Sequence, residues 1–286
     1  YILLLYSFVN FNYLLLNYFM SSVLPFIYHL LILLPGILII YLLLKYDKFP
    51  EPKNLLIITV LLAFAGTTIF GIVKYKILLV HEWFPTYNEE IELTGFLFYF
   101  YNFIDAYILV AFGEELVKYL VILLFCVSLK EFNEPLDGLI YGAMAGLGFA
   151  LEEGFGYLAS AIATVAAATP ESGGGQEAIF FAIMGRWMAI PAHVFFGIIM
   201  GWLFSIAIFK DVSSKFYLLL AILVPTLLHG TYDYILFTDL NSISQGLLYI
   251  FLYAGMLAWV VGLYVHYHGL QRLKNSETER RFNLII

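Results

Sequence analysis

The chain predicts an all-α fold, a polytopic membrane helical bundle of about seven or eight transmembrane helices, on three observations. Its 286 residues are 62% hydrophobic and only 12% charged, with a mean hydropathy of +0.89, whereas soluble domains carry roughly a quarter charged residues. Apolar stretches of about twenty residues, enough to cross a bilayer as a helix, recur along the whole chain. Lys and Arg collect in every second connection between them, the asymmetry that orients membrane helices.

Residues 1–23 form a weak additional hydrophobic segment. Asn10, Asn12 and Asn17 interrupt it, and it has neither the basic start nor the small-residue cleavage site of a signal peptide. A membrane-embedded domain is expected over 24–268, with spans at 24–44, 54–74, 104–129, 135–166, 178–209, 214–238 and 243–268. The apolar stretch 94–103 reads as an interfacial or kinked lead-in, because the charge pattern requires an odd number of crossings between residues 93 and 130. Residues 269–286 complete the chain as a basic tail.

Lys45, Lys48 and Lys53, then Lys130, then Lys210 and Lys215, then Arg272, Lys274, Arg280 and Arg281 mark one side of the membrane. The alternate loops carry Glu82, Glu89, Glu90, Glu92, Glu171, Glu177 and Asp239 instead. The basic side is cytoplasmic by the positive-inside rule, so the C-terminus is expected there and the Ser172–Gln176 glycine-rich loop outside. A net charge of −7 without a basic arm gives no footing for nucleic acid. The single cysteine, Cys126, excludes an internal disulfide and reads as a small buried hydrophobe.

Ionisable residues inside the spans carry the functional argument, since they are costly in a bilayer and by default mark a functional site. Glu114 and Glu115, Glu152 and Glu153, His193, and His229 interrupt four different spans. Counted from the cytoplasmic ends of those spans, Glu114, Glu152, His193 and His229 fall at one level, about 22 to 24 Å deep. Glu114 and Lys118 share a helix face, as do His229 and Asp233. Two adjacent carboxylates beside one lysine cannot both be cheaply ionised in a low dielectric, which suits a general acid or base. Arg186 and His193 lie roughly on one face with Pro191 between them, where a proline is expected to kink the helix. Gly138, Gly142, Gly146 and Ala150 recur every four residues, a ladder that lets a second helix approach closely.

Four blocks resemble the PrsW family of intramembrane glutamic-type proteases: Tyr46-Asp-Lys-Phe-Pro-Glu-Pro52, Glu114-Glu-Leu-Val-Lys118, Asp137 through Glu152, and His229-Gly-Thr-Tyr-Asp233. Arg186 and His193 fall between them in the right order. The resemblance covers about residues 24–240 and extends to the clan of CAAX-type prenyl endopeptidases. It implies a multi-pass protease of a bacterial cell membrane that cuts a membrane-anchored, single-pass substrate near its extracytoplasmic side, an anti-sigma factor in the founding example, so that cleavage serves stress signalling. It also implies Glu114 and Glu115 as the catalytic pair with Glu152 and His193. Glu114 with His193 would activate a water, His229 would stabilise the oxyanion, and Asp233 would orient His229. The family usually has Asn where this chain has Glu153.

No cofactor is expected in this reading, which is metal-free. The same residues allow alternatives. His193, His229 and a glutamate could hold zinc in a three-ligand catalytic arrangement, although no His-Glu-x-x-His or cysteine pair is present. Carboxylates and histidines in helices also form the relays of proton-coupled transporters, and a non-enzymatic scaffold for a partner's transmembrane helix is a third class.

Overall fold

The computed structural model describes residues 23–45, 47–80, 84–85, 93–167, 175–209, 214–238 and 242–274. Residues 1–22, Tyr46, Trp83 with the glutamates of the 75–93 loop, most of the glycine-rich loop, Lys210 and the tail after Lys274 lie outside the described residues. Within them every regular element is helical: α1 (Leu24–Lys45), α2 (Lys53–Ile72), α3 (Gly95–Ile104), α4 (Gly113–Leu124), α5 (Pro135–Ala167), α6 (Gly175–Phe209), α7 (Ser214–Phe237) and α8 (Ser242–Lys274). Wide π turns extend α2 over Val73–Ile77 and join α3 to α4 over Asp105–Phe112. Five helices, Leu24–Lys45, Lys53–Ile77, Glu177–Phe209, Ser214–Phe237 and Ser244–His268, are long and apolar enough to cross a membrane on length and composition alone. Helix α5, which carries Glu152 and Glu153, and the composite α3–π–α4 rod occupy the other two stretches expected as spans.

That rod departs from the expected 104–129 span. Helix runs without interruption from Gly95, so 94–103 is continuous with the expected span through the π segment, and the helix closes at Leu124 before a 3₁₀ turn at Cys126–Ser128. The depth estimate for Glu114, counted from residue 129, therefore loses its base: Glu114 lies ten residues above Leu124, about 15 Å of helix. The estimates for His193 and His229 keep theirs, since α6 ends at Phe209 and α7 starts at Ser214. At the other end of the chain α8 continues to Lys274, into the segment expected as tail.

The core is the α5–α6 pair. The small-residue ladder of α5 meets a second one on α6. A Cβ on Gly142 would strike the carbonyl of Gly197, one on Gly138 the carbonyl of Gly201, and one on Gly146 the carbonyl of His193. On the opposite face of α5, Gly148 brings the backbone against the Val60 carbonyl of α2. With lipid tails as apolar as the side chains, close backbone approach of this kind is what holds membrane helices together. α6 runs on through Pro191 as one helix. Near this point, the Tyr253 hydroxyl of α8 donates to the Met188 carbonyl, and the Trp187 Nε1–H donates to the Leu31 carbonyl of α1 at 2.9 Å.

Below the core, Pro135 occupies the first turn of α5, where its missing N–H is not needed. Asp137 accepts the backbone N–H groups of Asn133 and Glu134, both at 2.7 Å. Tyr141 reaches from α5 to donate to Glu51 of the loop before α2, at 2.8 Å. The block ending in Glu51-Pro52 is thereby fastened to the start of α5, far along the helix from Glu152.

Candidate active site

The first turn of α4 follows directly on the π segment and carries Glu114 and Glu115. π turns recur at functional sites, and this one sets Asp105 and Val110 on the same cavity wall as Glu114. Glu115 and Lys118 are wholly buried and paired at 2.5 Å. The Lys118 ammonium lies over the Phe149 ring, 4.5 Å from its centroid, and reaches Nδ1 of His193 at 3.3 Å. A lysine ammonium can only donate, so Nδ1 accepts and Nε2 carries the ring proton. Nε2–H donates to Glu153 at 2.9 Å, and Glu153 in turn faces the Arg186 guanidinium at 3.0 Å.

His229 sits beside them, its ring edge-on to that of His193 with centroids 4.9 Å apart and stacked on Phe196 at 5.0 Å. Its Nδ1–H donates to Glu115 at 2.8 Å. Nε2 lies 3.2 Å from Asp233 and 3.7 Å from Glu114, contacts that are ion pairs rather than aligned hydrogen bonds. Oε2 of Glu114 has no hydrogen-bond partner in the protein and is buried. A cavity of about 280 Å³ holds Glu114, Glu153, Arg186, His193, His229 and Asp233 in its wall.

Eight of the nine expected site residues thus meet: Glu114, Glu115, Lys118, Glu153, Arg186, His193, His229 and Asp233. Glu152 does not join them. It accepts a hydrogen bond from the Thr68 hydroxyl of α2 at 3.1 Å and lines a second cavity beyond Glu114. One residue along a helix turns a side chain by about 100°, so Glu152 and Glu153 point in different directions, and it is Glu153 that faces His193. Sequence reasoning passed over Asp105, an ionisable residue in an apolar run that satisfies the same criterion as Glu114. It also passed over Tyr157, whose ring stacks under Arg186 at 4.2 Å; an aromatic residue in a membrane helix gives no such signal.

Fold and site together define a polytopic membrane protein with a buried carboxylate–lysine–histidine centre opening into a polar cavity. The family model described as PrsW family intramembrane metalloprotease matches residues 51–262. The chain belongs to the PrsW family of intramembrane proteases. Protease PrsW of Geobacillus kaustophilus (strain HTA426) is 34% identical over 132 residues, 46% of this chain and 52% of the relative. Protease PrsW of Shouchella clausii (strain KSM-K16) is 30% identical over 159 residues, 56% and 65%. Protease PrsW of Bacillus subtilis (strain 168) is 29% identical over 196 residues, 68% and 75%. The match spans about half the length of the first of these relatives and under two thirds of the second. No solved structure matches the chain.

The family description names a metal, and Glu114, His193 and His229 offer donor atoms within 4.8 Å of one another. Two features oppose a metal there. A histidine that ligates through Nε2 carries its proton on Nδ1, yet Nδ1 of His193 faces the donor Lys118 and Nε2 is turned to Glu153. The Lys118 ammonium already places a positive charge 3.3 Å from Nδ1 of His193. The donor set as arranged does not fit a metal ion.

Proposed function

We propose that the chain is a metal-free intramembrane protease that hydrolyses a peptide bond of a membrane-anchored substrate with a water activated by Glu114. The observation that carries this reading is the buried Glu114 Oε2 on the cavity wall, which accepts no hydrogen bond from the protein and lies 3.7 Å from His229 Nε2. Glu114 takes a proton from water as the oxygen attacks the substrate carbonyl. The C–N bond breaks, and Glu114 returns the proton to the leaving amine, so one water is consumed and one carboxyl and one amine are formed. His229 is held through its Nδ1–H by Glu115; as the imidazolium, with its charge balanced by Asp233, it turns its one Nε2–H from that carboxylate to the developing oxyanion. His193 has both nitrogens engaged, so its role in this chain is to form part of the fixed polar wall rather than to take the proton.

The positive-inside pattern supports a cytoplasmic C-terminus, and with that orientation the counts for His193 and His229, about 22 to 24 Å from the cytoplasmic ends of their helices, support a site in the outer half of the bacterial membrane. A single-pass protein cut near its extracytoplasmic end, of the anti-sigma-factor type that serves stress signalling, is the substrate this placement favours. The test is cleavage of a panel of single-pass membrane proteins, including candidates of that type, by purified wild type and Glu114→Gln in liposomes, with and without chelator. Chelator-insensitive product from wild type alone is expected. Full cleavage by both Glu114→Gln and Glu115→Gln would sink the assignment, and chelator inhibition reversed by zinc would replace it with a metal mechanism. Uptake driven by a pH gradient, with no product from wild type, would indicate a transporter.

A further inference from the structure

The cavity that contains Glu152 is separate from the one that holds the histidines. It occupies about 330 Å³ between α2 and α5, with Thr67, Gly71, Glu152, Gly156 and Ser160 in its wall, and it meets the histidine cavity along Glu114, Glu153, Tyr157 and the Lys74–Tyr75 turn. Glu114 therefore stands where the two cavities join, one of them lying in the gap between α2 and α5.

The walls of this groove differ from the packed parts of α5. At Gly138, Gly142, Gly146 and Gly148 a Cβ would collide with a neighbouring backbone, so packing accounts for the glycine. At Gly71 and Gly156 a Cβ would meet nothing within 4 Å. Glycine weakens a helix, and here no neighbour requires it; its effect is to keep the groove wide. The Glu152 carboxylate has one protein partner in the groove, Thr68, and an ionised carboxylate accepts several hydrogen bonds.

A peptide bond within a helix has its carbonyl bonded and shielded, so hydrolysis requires a locally unwound chain. Unwound backbone at membrane depth is tolerated only where protein or water satisfies its N–H and C=O groups. We propose that the α2–α5 groove binds the unwound substrate segment adjoining the scissile bond, with Glu152 accepting a substrate backbone N–H and the Gly71–Gly156 gap receiving a substrate side chain. The proposal rests on the proteolytic reading above. It assigns Glu152 to substrate binding and leaves the water to Glu114.

The experiment uses the full chain in liposomes with the same panel of single-pass proteins. Benzoylphenylalanine replaces Tyr75 or Tyr157 at the groove, or Phe251 on the lipid face of α8, in the Glu114→Gln background. Cross-links to a panel protein are expected from 75 and 157 and not from 251, and Gly156→Leu removes them. In the active chain, Gly156→Leu and Gly71→Leu lower kcat/KM at least tenfold, chiefly through KM. Gly156→Ala lowers it less, and Gly185→Leu, outside both cavities, leaves it unchanged. Undiminished cleavage by Gly156→Leu overturns the groove while the protease reading stands. Cross-links from the groove without cleavage by wild type retain the groove and overturn the protease reading. Neither cross-link nor cleavage overturns both.

Discussion

Lys118 donates a hydrogen bond to Nδ1 of His193 across 3.3 Å, joining α4 to α6 at the centre of the bundle. Its other partner is Glu115, and both members of that pair are wholly buried. Removing one partner of a buried ion pair leaves an uncompensated charge, at a cost of about 3–5 kcal/mol. Lys118→Met is therefore expected to lose about that much stability in detergent unfolding, and adding Glu115→Gln should recover a large part of it. Equal destabilisation in the single and double variants would show that the pair is not coupled as the geometry requires.

Glu114 and Glu152 were alike in the sequence and are not alike in the site. Glu114→Gln removes the proton acceptor and is expected to reduce kcat by about 10² to 10⁴, the range for general acid–base catalysis. Glu152→Gln keeps an acceptor oxygen facing the groove, so its effect should stay within about tenfold and fall mainly on KM. A Glu152→Gln variant as inactive as Glu114→Gln would return Glu152 to the reacting groups.

Much of this was legible from residue types alone. A charge inside an apolar span has so few permissible surroundings that Glu114, His193 and His229 could be grouped before any helix was placed, and the α5 ladder called for a close partner that Gly197 and Gly201 supply. What went unread was rotation. Glu153 follows Gly146 by seven residues and Ala150 by three, so the ladder face that meets α6 also carries Glu153 toward His193, while Glu152 is turned by about 100° to α2. The π turns before Glu114 were hidden, because a wide turn and an α turn accept the same apolar residues.

The same backbone contacts make a second stability prediction. Gly142 and Gly197 each place a hydrogen where a methyl would meet the other helix's carbonyl. Gly142→Ala is expected to cost about 1–3 kcal/mol as an overpacking change, and Gly146→Ala, which presses on the His193 carbonyl, should also lower cleavage. Gly185→Ala, with open space around it, is the control. Unfolding in detergent and cleavage rate, measured on all three, separate packing from chemistry.

Metal content gives a further test. Because Lys118 commits Nδ1 of His193 and Glu153 takes Nε2–H, protein purified without chelator is expected to contain substoichiometric zinc by elemental measurement. Added zinc should leave thermal stability unchanged, whereas a ligand bound only by the folded chain would raise it. In Lys118→Met the ring is free to change tautomer, so zinc binding gained in that variant and absent from wild type would confirm that the lysine blocks the metal.

The loop before α2 carries the pH prediction. Glu51 is buried, and burial holds its carboxyl above the ordinary carboxylate range, although hydrogen bonds with Asp137 and Tyr141 act the other way; the charges of Asp47 and Glu131 add to the rise. An acid raised in the folded state contributes stability that is complete below its unfolded pKa and is lost as pH rises through the folded one. The fastening of this loop to α5 should accordingly be tighter at about pH 5 than at about pH 8. Hydrogen-exchange protection of the amides at 53–56, corrected for the intrinsic pH dependence of exchange, measures it. Glu51→Gln, neutral throughout yet still an acceptor for Tyr141, should keep protection high and flat across that range. Protection that instead rises with pH in the wild type would mean that Glu51 is stabilised as the carboxylate, and the assignment of burial as the dominant cause would be wrong.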